Sequence, residues 1–465
     1  MKTQLNRRQF LGVALVAGAS GLCHKALGAL AILSCRSPNG KIRLACVGVS
    51  GRAGQCMKEF GKIPEVEMAA LCDVDAEKLS VAAKLFPEAK LYSDWREMFV
   101  AEKDLDSVCI GTPDHNHTII SAAAMRRGLN VYCEKPLCKK LDECRLLERL
   151  AAESGKVTQL GTQGAASLAD RQFVEYLKTG AVGAVKRVVL FSNRTGISRK
   201  PRVVQKPCAI PSSLNWQVWL GPAVDRPYAP GYHPALWRVF RDFGSGWVGD
   251  LCIHAICAPW IGLDLSATSP LCVRAETDEA TRCSDINKLF WPRYSHICWN
   301  FPGIVASGGV PFSVEWFSGI LAEATTADNF LPPTKYDAVF AQSPLKKREL
   351  EGMVVEGENG YVLSSMSDMT CAVLKDGTVL PSPKLPVASS HYQDFITRCR
   401  EGGKARCDFS WATKMMETTI IGGVAEQLPD RTHVWHAKDG RFDDEDATAL
   451  LKSNYRAGWQ VEGLA

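Results

Sequence analysis

A strand, a glycine-rich turn, a helix and a second strand follow one another between residues 41 and 73, and this order restricts the fold more than any other feature of the chain. Residues 41–47 are a short, largely apolar run that leads into the turn Gly48–Gly54. A helical stretch follows at 55–61, and a second apolar run at 66–72 ends at Asp73. The same order, closed by an acid about 20 residues past the turn, is typical of Rossmann dinucleotide-binding sites. We therefore predict a nucleotide-binding domain that begins at this turn.

The residues of the turn have defined roles in such a site. Glycines let the backbone approach a pyrophosphate, which rests on the amides at the helix N-terminus. Asp73 would accept hydrogen bonds from the adenosine ribose and repel a 2′-phosphate, so we expect NAD to be preferred over NADP. The fingerprint reads Gly48-x-Ser50-x-x-Ala53, with its second glycine replaced, and taken alone it equally fits a tight turn between a strand and a helix. Cofactor contacts are predicted at Gly48, Ser50, Gly51, Arg52, Ala53 and Asp73.

The alternation of strands and helices continues to about residue 160. Further apolar strands are predicted at 107–110, 129–133 and 157–160, with helices between them. This pattern predicts a parallel sheet that binds its ligands at the carboxyl ends of the strands, where Thr112–His117 and Glu134-Lys135 fall. Because 465 residues exceed what one core usually supports, we predict a Rossmann domain at 41–160 and a second domain at 161–465.

The first 35 residues are predicted to be an export signal. Arg7 and Arg8 precede Phe10-Leu11 and an apolar stretch from 12 to 22, an arrangement that resembles the twin-arginine signal. We therefore expect the twin-arginine export machinery as a partner and a periplasmic location. That route carries folded proteins, so NAD is expected to be loaded before export and to be bound tightly.

Two other interpretations of this segment concern the membrane. A transmembrane anchor is disfavoured because His24 and Lys25 interrupt the apolar run, and neither half reaches the roughly 20 residues of a span. Ile32-Leu33-Ser34-Cys35 loosely resembles a lipoprotein box, which would make Cys35 the site of a lipid anchor. No membrane span is predicted.

The charge of the chain lies mainly in the signal. Lys2, Arg7, Arg8 and Lys25 supply four of the five net positive charges, so the remainder carries a net charge of +1. A body so close to neutral lacks the basic excess that nucleic-acid binding requires.

Cysteine is frequent, with 18 residues, but the pattern does not indicate a metal cluster. Cys46, Cys72, Cys109 and Cys133 lie inside four predicted strands, and the chain has no Cys-x-x-Cys pair. These four are predicted to be small apolar residues of the core.

Motifs beyond the glycine turn carry a family resemblance. Together and in their order they resemble the glucose–fructose oxidoreductase / inositol dehydrogenase / MocA (Gfo/Idh/MocA) family, in particular its exported members. The resemblance implies an α/β enzyme in which a Rossmann NAD-binding domain precedes an α/β domain with a large, open, mostly antiparallel sheet. It also implies a homo-oligomer and a tail, at 434–459, that packs back on the body. The motifs are Thr112–His117, Glu134-Lys135-Pro136, Gly161-Thr162-Gln163, Trp219–Pro222, Tyr232-His233-Pro234, Trp237-Arg238, Asp242–Gly246, Gly249–His254 and Tyr455–Trp459.

By this resemblance Lys135, Asp250 and His254 are the catalytic residues. The lysine of the family's Glu-Lys-Pro motif contacts the nicotinamide ribose and the substrate hydroxyl, and the histidine of its Asp-x-x-x-His pair accepts the proton. Oxidation of a secondary alcohol needs a base that titrates near the working pH, which suits histidine. Asp250 and His254 are four residues apart, so on a helix they share a face, and the carboxylate would orient the imidazole. The alternative is a histidine that merely satisfies an aspartate near a helix start.

The remaining predicted site residues contact either the cofactor or the substrate. Aromatic residues between 216 and 247 suit the apolar faces of sugar rings, although core packing beneath a long loop explains any one of them nearly as well. Four histidines would suit zinc, but the family site has none, and no metal is predicted. Cofactor contacts are assigned to Thr112, Pro113, His115, His117, Glu134, Lys135 and Gln163. Substrate contacts are assigned to His117, Tyr232, His233, Trp237 and Arg238.

The expected activity is oxidation of a secondary hydroxyl of a sugar, polyol or glycoside with NAD. The alternative is a glycosidase in which bound NAD is reduced and reoxidised within one cycle. The glycosidase members of the family replace the lysine of Glu-Lys-Pro, which this chain keeps as Lys135. A non-catalytic sugar sensor on the same scaffold would leave Lys135, Asp250 and His254 idle.

Overall fold

The computed structural model describes residues 40–193, 202–278, 286–318, 332–366 and 368–464. The predicted export signal at 1–35, with Cys35, lies outside these ranges. Within them no helix combines the length and the apolar character needed to cross a membrane.

The first domain is built on a six-stranded parallel sheet with the strand order β3-β2-β1-β4-β5-β6. This is the strand order of the Rossmann fold, and it confirms the predicted fold of this domain. The strands are β1 (Ile42–Val47), β2 (Val66–Cys72), β3 (Lys90–Tyr92), β4 (Ser107–Ile110), β5 (Asn130–Glu134) and β6 (Thr158–Gly161). The helices are α1 (Gly51–Gly61), α2 (Ala76–Ala83), α3 (Trp95–Ala101), α4 (His117–Arg126) and α5 (Leu141–Ser154).

Three neighbouring strands of this sheet are completely buried. Every residue of β4, β5 and β6 is buried, as expected for parallel strands covered by helices on both faces. Cys46, Cys72, Cys109 and Cys133 are all buried, as predicted, and the cysteines of the described ranges form no disulfide.

The order of the strands reverses between β1 and β4, and this is the point where a Rossmann sheet binds its ligand. Gly48 follows β1 with a φ of +89°, and a Cβ atom there would lie 2.9 Å from the carbonyl oxygen of Gly111. A Cβ atom on Gly111 would in turn lie 2.5 Å from the Cβ atom of Ala53 in α1. The two glycines therefore let α1 begin directly against the ends of both strands.

The second domain carries a nine-stranded sheet in the order β13-β12-β11-β7-β10-β9-β8-β14-β15. Strands β7 and β10 are parallel to each other, and all other neighbouring strands are antiparallel. This confirms the prediction of a mostly antiparallel sheet. The strands are β7 (Val185–Ser192), β8 (Cys272–Thr277), β9 (Ser295–Phe301), β10 (Phe312–Ser318), β11 (Glu351–Gly357), β12 (Gly360–Ser364), β13 (Thr370–Leu374), β14 (Thr432–His436) and β15 (Arg441–Phe442).

Helices cover the two faces of this sheet unequally. Helices α6, α8 and α12 pack on one face, and α10 covers part of the other through Tyr336 and Phe340. The remaining helices are short or lie elsewhere. The helices are α6 (Leu168–Lys178), α7 (Trp216–Leu220), α8 (Ile253–Gly262), α9 (Ile286–Leu289), α10 (Lys335–Gln342), α11 (His391–Glu401), α12 (Phe409–Gln427) and α13 (Glu445–Ala449).

Two late segments return to the first domain. Helix α11 inserts Tyr392, Phe395 and Ile396 into the core around α1, where the rings of Phe60 and Tyr392 lie 5.1 Å apart. In the tail, Tyr455 donates to the carboxylate of Glu143 in α5 at 2.7 Å. The Rossmann core is therefore completed by residues far beyond position 160.

Candidate active site

The carboxyl ends of the Rossmann strands and the second domain enclose a cavity of about 960 Å³. Both the glycine turn and the three predicted catalytic residues face it. Its lining includes Gly48, Ser50, Gly51, Arg52, Asp73, Thr112, Pro113, Asp114, Asn116, His117, Glu134, Lys135, Gln163, Trp219, His233, Trp237, Arg238, Asp250 and His254.

At one end of the cavity, Asp73 closes the glycine turn. Its carboxylate accepts hydrogen bonds from the backbone amides of Val49, at 2.9 Å, and Asp75, at 3.0 Å. Burial raises the pKa of Asp73 despite these two bonds. The carboxylate is thus fixed beside the turn, where the predicted ribose contact requires it.

The cavity wall also offers polar atoms that have no partner within the described residues. They include Oγ1 of Thr112, Oε2 of Glu134 and Oε1 of Gln163. Buried polar atoms are usually paired, so unpaired ones that line a cavity indicate where a ligand would bind. Together with the close approach allowed by Gly48 and the amides at the start of α1, they fit a dinucleotide such as NAD.

At the other end, Lys135 and Asp250 form a buried ion pair. Lys135 follows β5, and its ammonium group donates to the carboxylate of Asp250 and, at 2.9 Å, to the main-chain carbonyl of the same residue. The two side chains are 11% and 17% exposed. The Lys135–Pro136 peptide is cis.

The helix that carries Asp250 and His254 differs from the prediction. Residues Val248–Cys252 form a π-helical turn, and the α-helix α8 begins only at Ile253. Both side chains still line the cavity, so the change of helix type keeps them on one face. Such π-turns are frequent at functional sites.

Cations surround the carboxylate of Asp250. Burial opposes its ionisation, but the charges of Lys135 and Arg238 outweigh that effect and lower the pKa of Asp250, with a smaller contribution from His254. The Nε atom of Arg238 lies 3.6 Å from its Oδ2 atom, and the guanidinium group lies over the ring of Trp237. The sequence suggested a partnership of Asp250 with His254 alone, whereas the structure adds Lys135 and Arg238.

Asp114 is a member of the site that received no role in the sequence analysis. It is buried in the cavity wall, and burial together with the charge of Asp250 raises its pKa to about 7. The sequence feature that could have marked Asp114 is its position after a predicted strand, close to two histidines. Its burial beside a second carboxylate depends on a segment more than 130 residues away.

Three residues predicted to contact the cofactor or the substrate do not line this cavity. His115 is 5% exposed, its Nε2 atom lies 2.9 Å from the carbonyl oxygen of Trp219, and burial lowers its pKa to about 3. Tyr232 packs in an aromatic cluster, 4.8 Å from the ring of Phe240. Ala53 lies behind the turn and packs α1 on the sheet. None of the three lines the cavity, so packing explains their positions.

His117 and His233 line the cavity, but each is held by protein groups. The two ring nitrogens of His117 lie 2.6 Å and 2.8 Å from the carbonyl oxygens of Pro136 and Thr112. His117 thus ties the turn after Lys135 to the end of β4, and burial lowers its pKa. The Nε2 atom of His233 lies 3.1 Å from Oδ2 of Asp75, two residues past Asp73. His233 therefore lies on the cofactor-binding side of the cavity.

Within the described ranges no group of three or more His, Cys, Asp or Glu side chains is placed to hold a metal ion.

Two family models match this chain. One, for the NAD-binding Rossmann fold of an oxidoreductase family, matches residues 42–162, and the other, for the C-terminal α/β domain of that family, matches residues 173–292.

Relatives of known name match over part of their length. A glycosyl hydrolase family 109 protein of Solibacter usitatus is 32% identical over 151 residues, which is 30% of this chain and 34% of that protein. Levoglucosan dehydrogenase of Pseudarthrobacter phenanthrenivorans is 25% identical over 187 residues, 40% of each chain. An inositol 2-dehydrogenase of Salmonella paratyphi B is 31% identical over 98 residues, 21% of this chain and 29% of that protein.

Solved structures share the fold over most of the chain. Aldose–aldose oxidoreductase from Caulobacter crescentus, complexed with glycerol, superposes with a TM-score of 0.57 at 16% identity, covering 85% of this chain and 100% of that one. Levoglucosan dehydrogenase in complex with NADH gives a TM-score of 0.53 at 16% identity, with 83% and 98% covered. The two domains, the glycine turn and the matched family models together show that the chain belongs to the Gfo/Idh/MocA family of NAD-binding oxidoreductases.

Proposed function

We propose that the protein oxidises a secondary hydroxyl of a sugar, polyol or glycoside with NAD. The observation that carries this proposal is the placement of Lys135, Asp250 and His254 in the same cavity as the glycine turn and Asp73. The relatives named as levoglucosan and inositol dehydrogenases support a carbohydrate or polyol substrate.

In this proposal the residues of the chain bind the substrate and move its proton. The ammonium group of Lys135, held by Asp250, stabilises the negative charge that develops on the substrate oxygen. His254 accepts the proton, and the charge of Asp250 favours the protonated imidazole. Trp219 and Trp237, which line the cavity, add apolar surface on the substrate side. NAD held at the glycine turn would supply the hydride acceptor.

We further propose that NAD is preferred over NADP and is bound tightly. Asp73 carries a negative charge beside the glycine turn, which disfavours a 2′-phosphate. The pair formed by His233 and Asp75 connects the second domain to the turn that follows Asp73, and so restricts the exit of a bound nucleotide.

The second candidate is a redox-neutral glycosidase with tightly bound NAD. Oxidation of a ring hydroxyl would acidify the neighbouring C–H bond, and loss of that proton would then expel the aglycone as an alcohol. Addition of water to the unsaturated sugar, followed by re-reduction, would restore the sugar. Relatives named as glycosyl hydrolase family 109 proteins favour this candidate, including one from Stenotrophomonas maltophilia that is 29% identical over 141 residues, 28% of this chain and 29% of that protein. The presence of Lys135 favours the dehydrogenase.

One experiment separates the two. The purified protein is assayed for copurified NAD and then incubated with a panel of sugars, polyols and glycosides, with and without added NAD. Accumulation of NADH with substrate supports the dehydrogenase, whereas release of sugar without net NADH supports the glycosidase. If His254→Ala leaves the observed activity unchanged, the assigned site is wrong. His436→Ala, which alters an exposed histidine of β14, serves as the control.

We also propose that the chain is exported through the twin-arginine route to the periplasm, with lipidation at Cys35 as an open alternative, and forms a homo-oligomer. Cell fractionation of the wild type and of a variant with Arg7→Lys and Arg8→Lys tests export, because a chain that reaches the periplasm equally well in both forms uses another route. Mass spectrometry of the mature N-terminus tests the lipid, and sedimentation velocity tests the oligomer.

A further inference from the structure

A second cavity of about 280 Å³ lies behind the active site. His115 faces it, whereas the neighbouring residues Asp114 and Asn116 face the active-site cavity. In the same way, Gly249 lines the second cavity and Asp250 lines the active-site cavity. One wall is therefore shared, and a ligand in the second cavity would touch the reverse side of the segments that carry the active site.

Cations outnumber acids around this cavity. Among the residues that the structure describes, five basic residues and two acids line it. Of the acids, Asp242 pairs with Arg226, and Glu143 accepts from the amides of Lys139 and Lys140 and from the hydroxyl group of Tyr455. The five basic residues are Lys139, Lys140, Arg241, Lys288 and Lys452.

The half-buried lysines are held at the wall by main-chain oxygens. The ammonium group of Lys139 donates to the carbonyl of Arg241 at 2.8 Å, and that of Lys140 donates to the carbonyl of Leu450 at 2.7 Å. Among the described residues no carboxylate lies within 4 Å of either ammonium group. Burial lowers the pKa of Lys139 to about 8 and also lowers the pKa of Lys140, and these effects outweigh the opposing charge of nearby carboxylates such as Glu143.

Apolar side chains also line this cavity. Helix α12 presents Met416, Ile420 and Val424, and the ring of Trp291 lies beside them, 5.3 Å from the guanidinium group of Arg241. Such a cavity offers a ligand both positive charge and apolar surface.

We propose that this cavity binds a small organic anion, a molecule with one carboxylate or phosphate group on an apolar body. A neutral molecule would bring no anion to Lys139 and Lys140, and a bare inorganic anion would leave the apolar side chains unused. The volume suits a body of about the size of an aromatic ring.

Isothermal titration calorimetry on the whole protein, with saturating NAD present, tests this proposal with four probes. Benzoate and phenyl phosphate carry both an anion and a ring, benzamide has the ring without the charge, and inorganic phosphate has the charge without the ring. We expect saturable binding of benzoate or phenyl phosphate that is at least tenfold tighter than binding of benzamide and of inorganic phosphate. The comparison of the first two shows which anionic group the site prefers. Equal affinity for benzamide, or for inorganic phosphate, overturns the proposal.

Variants then place the binding in this cavity. Lys139→Gln should weaken binding of the better probe by at least tenfold, and the double variant Lys288→Gln/Lys452→Gln, at the exposed rim, by at least threefold. Lys375→Gln, on an exposed turn far from the cavity, should leave it unchanged. If Lys139→Gln fails to fold, the rim variant decides, because affinities equal to those of Lys375→Gln overturn the proposal. None of these readouts depends on the proposed enzymatic activity.

Discussion

His233 and Asp75 meet at 3.1 Å, and this contact ties the second domain to the turn that follows β2. Two main-chain bonds accompany it, from Ala76 to the carbonyl of Ser213 and from Asn215 to the carbonyl of Val74, both at 2.8–2.9 Å. The other oxygen of Asp75 accepts from the amide of Glu77 and caps α2. Burial opposes ionisation of Asp75, but the hydrogen bond with His233 and the other contacts outweigh it and lower its pKa.

Removal of this contact should speed the release of NAD. A hydrogen bond to a charged group contributes about 1.5–3 kcal/mol, so His233→Phe should raise the dissociation rate by roughly tenfold or more. Stopped-flow displacement of NAD measures the rate. His436→Phe, at an exposed histidine, serves as the control, and equal rates in the two variants would show that the contact does not retain the cofactor.

Lys135→Met should reduce turnover by a factor on the order of 10²–10³ while NAD binding is retained. The variant removes the positive charge at the developing alkoxide and leaves a side chain of similar length. Steady-state rates give the loss, and quenching of tryptophan fluorescence by NAD reports binding. A matched Lys375→Met variant, at an exposed lysine, controls for the loss of a positive charge away from the site. A loss below fivefold would contradict the assigned role.

Asp73→Asn should shift the preference between the two cofactors. The amide oxygen can still accept one backbone hydrogen bond in the glycine turn, but the negative charge that opposes a 2′-phosphate is gone. We expect the ratio of the dissociation constants for NADP and NAD to fall by about tenfold, as measured by calorimetry on the apoprotein. An unchanged ratio would mean that another group sets the preference.

Asp114→Asn should reduce the loss of folding stability that accompanies a rise in pH. The pKa of Asp114 is raised to about 7, whereas an aspartate in an unfolded chain has a pKa of about 3.9. The folded protein thus holds a proton here that the unfolded chain releases, so this stabilisation is present below about pH 4 and is lost as the pH rises through about 7. Thermal unfolding of both proteins at pH 4.5 and pH 8 tests this. The melting temperature of the variant, relative to the wild type, should be higher at pH 8 than at pH 4.5. Asp104→Asn, at an exposed aspartate, should show no such change.

Gly48→Ala and Gly377→Ala form a matched pair. Both glycines have a φ of +89°, but a Cβ atom on Gly377 meets nothing within 4 Å, whereas one on Gly48 lies 2.9 Å from the carbonyl oxygen of Gly111. The backbone strain, about 1–2 kcal/mol, should be common to both variants, and Gly48→Ala should lose roughly 1–3 kcal/mol more through overpacking. Urea unfolding without added NAD measures both free energies. Equal losses would show that the close approach of Gly48 to Gly111 costs nothing.

The sequence predicted most elements of the Rossmann domain correctly, because each strand or helix corresponds to its own apolar or helical stretch of residues. Strands 66–72 and 107–110 occur where they were predicted. Strand β3 has only three residues, none of them buried, so no periodicity marked it.

The site was predicted less completely, for a different reason. Residue types marked Lys135, Asp250 and His254, but the contact between Lys135 and Asp250 joins positions 115 residues apart, and local sequence carries no signal for it. The same holds for His115 and Tyr232, whose chemistry suits a ligand but whose side chains face Trp219 and Phe240. Chemical type predicted candidates, and only packing decided which of them face the cavity.

Helix α11 delays the completion of the nucleotide-binding domain during synthesis. Phe395 and Ile396 fill a core whose other walls come from β1 and α1, so the nucleotide-binding domain stays open on one side until synthesis has passed residue 400. A fragment cut near residue 160 would expose that apolar surface and should aggregate or bind chaperones. The cofactor domain, although encoded first, is therefore among the last parts of the molecule to be finished.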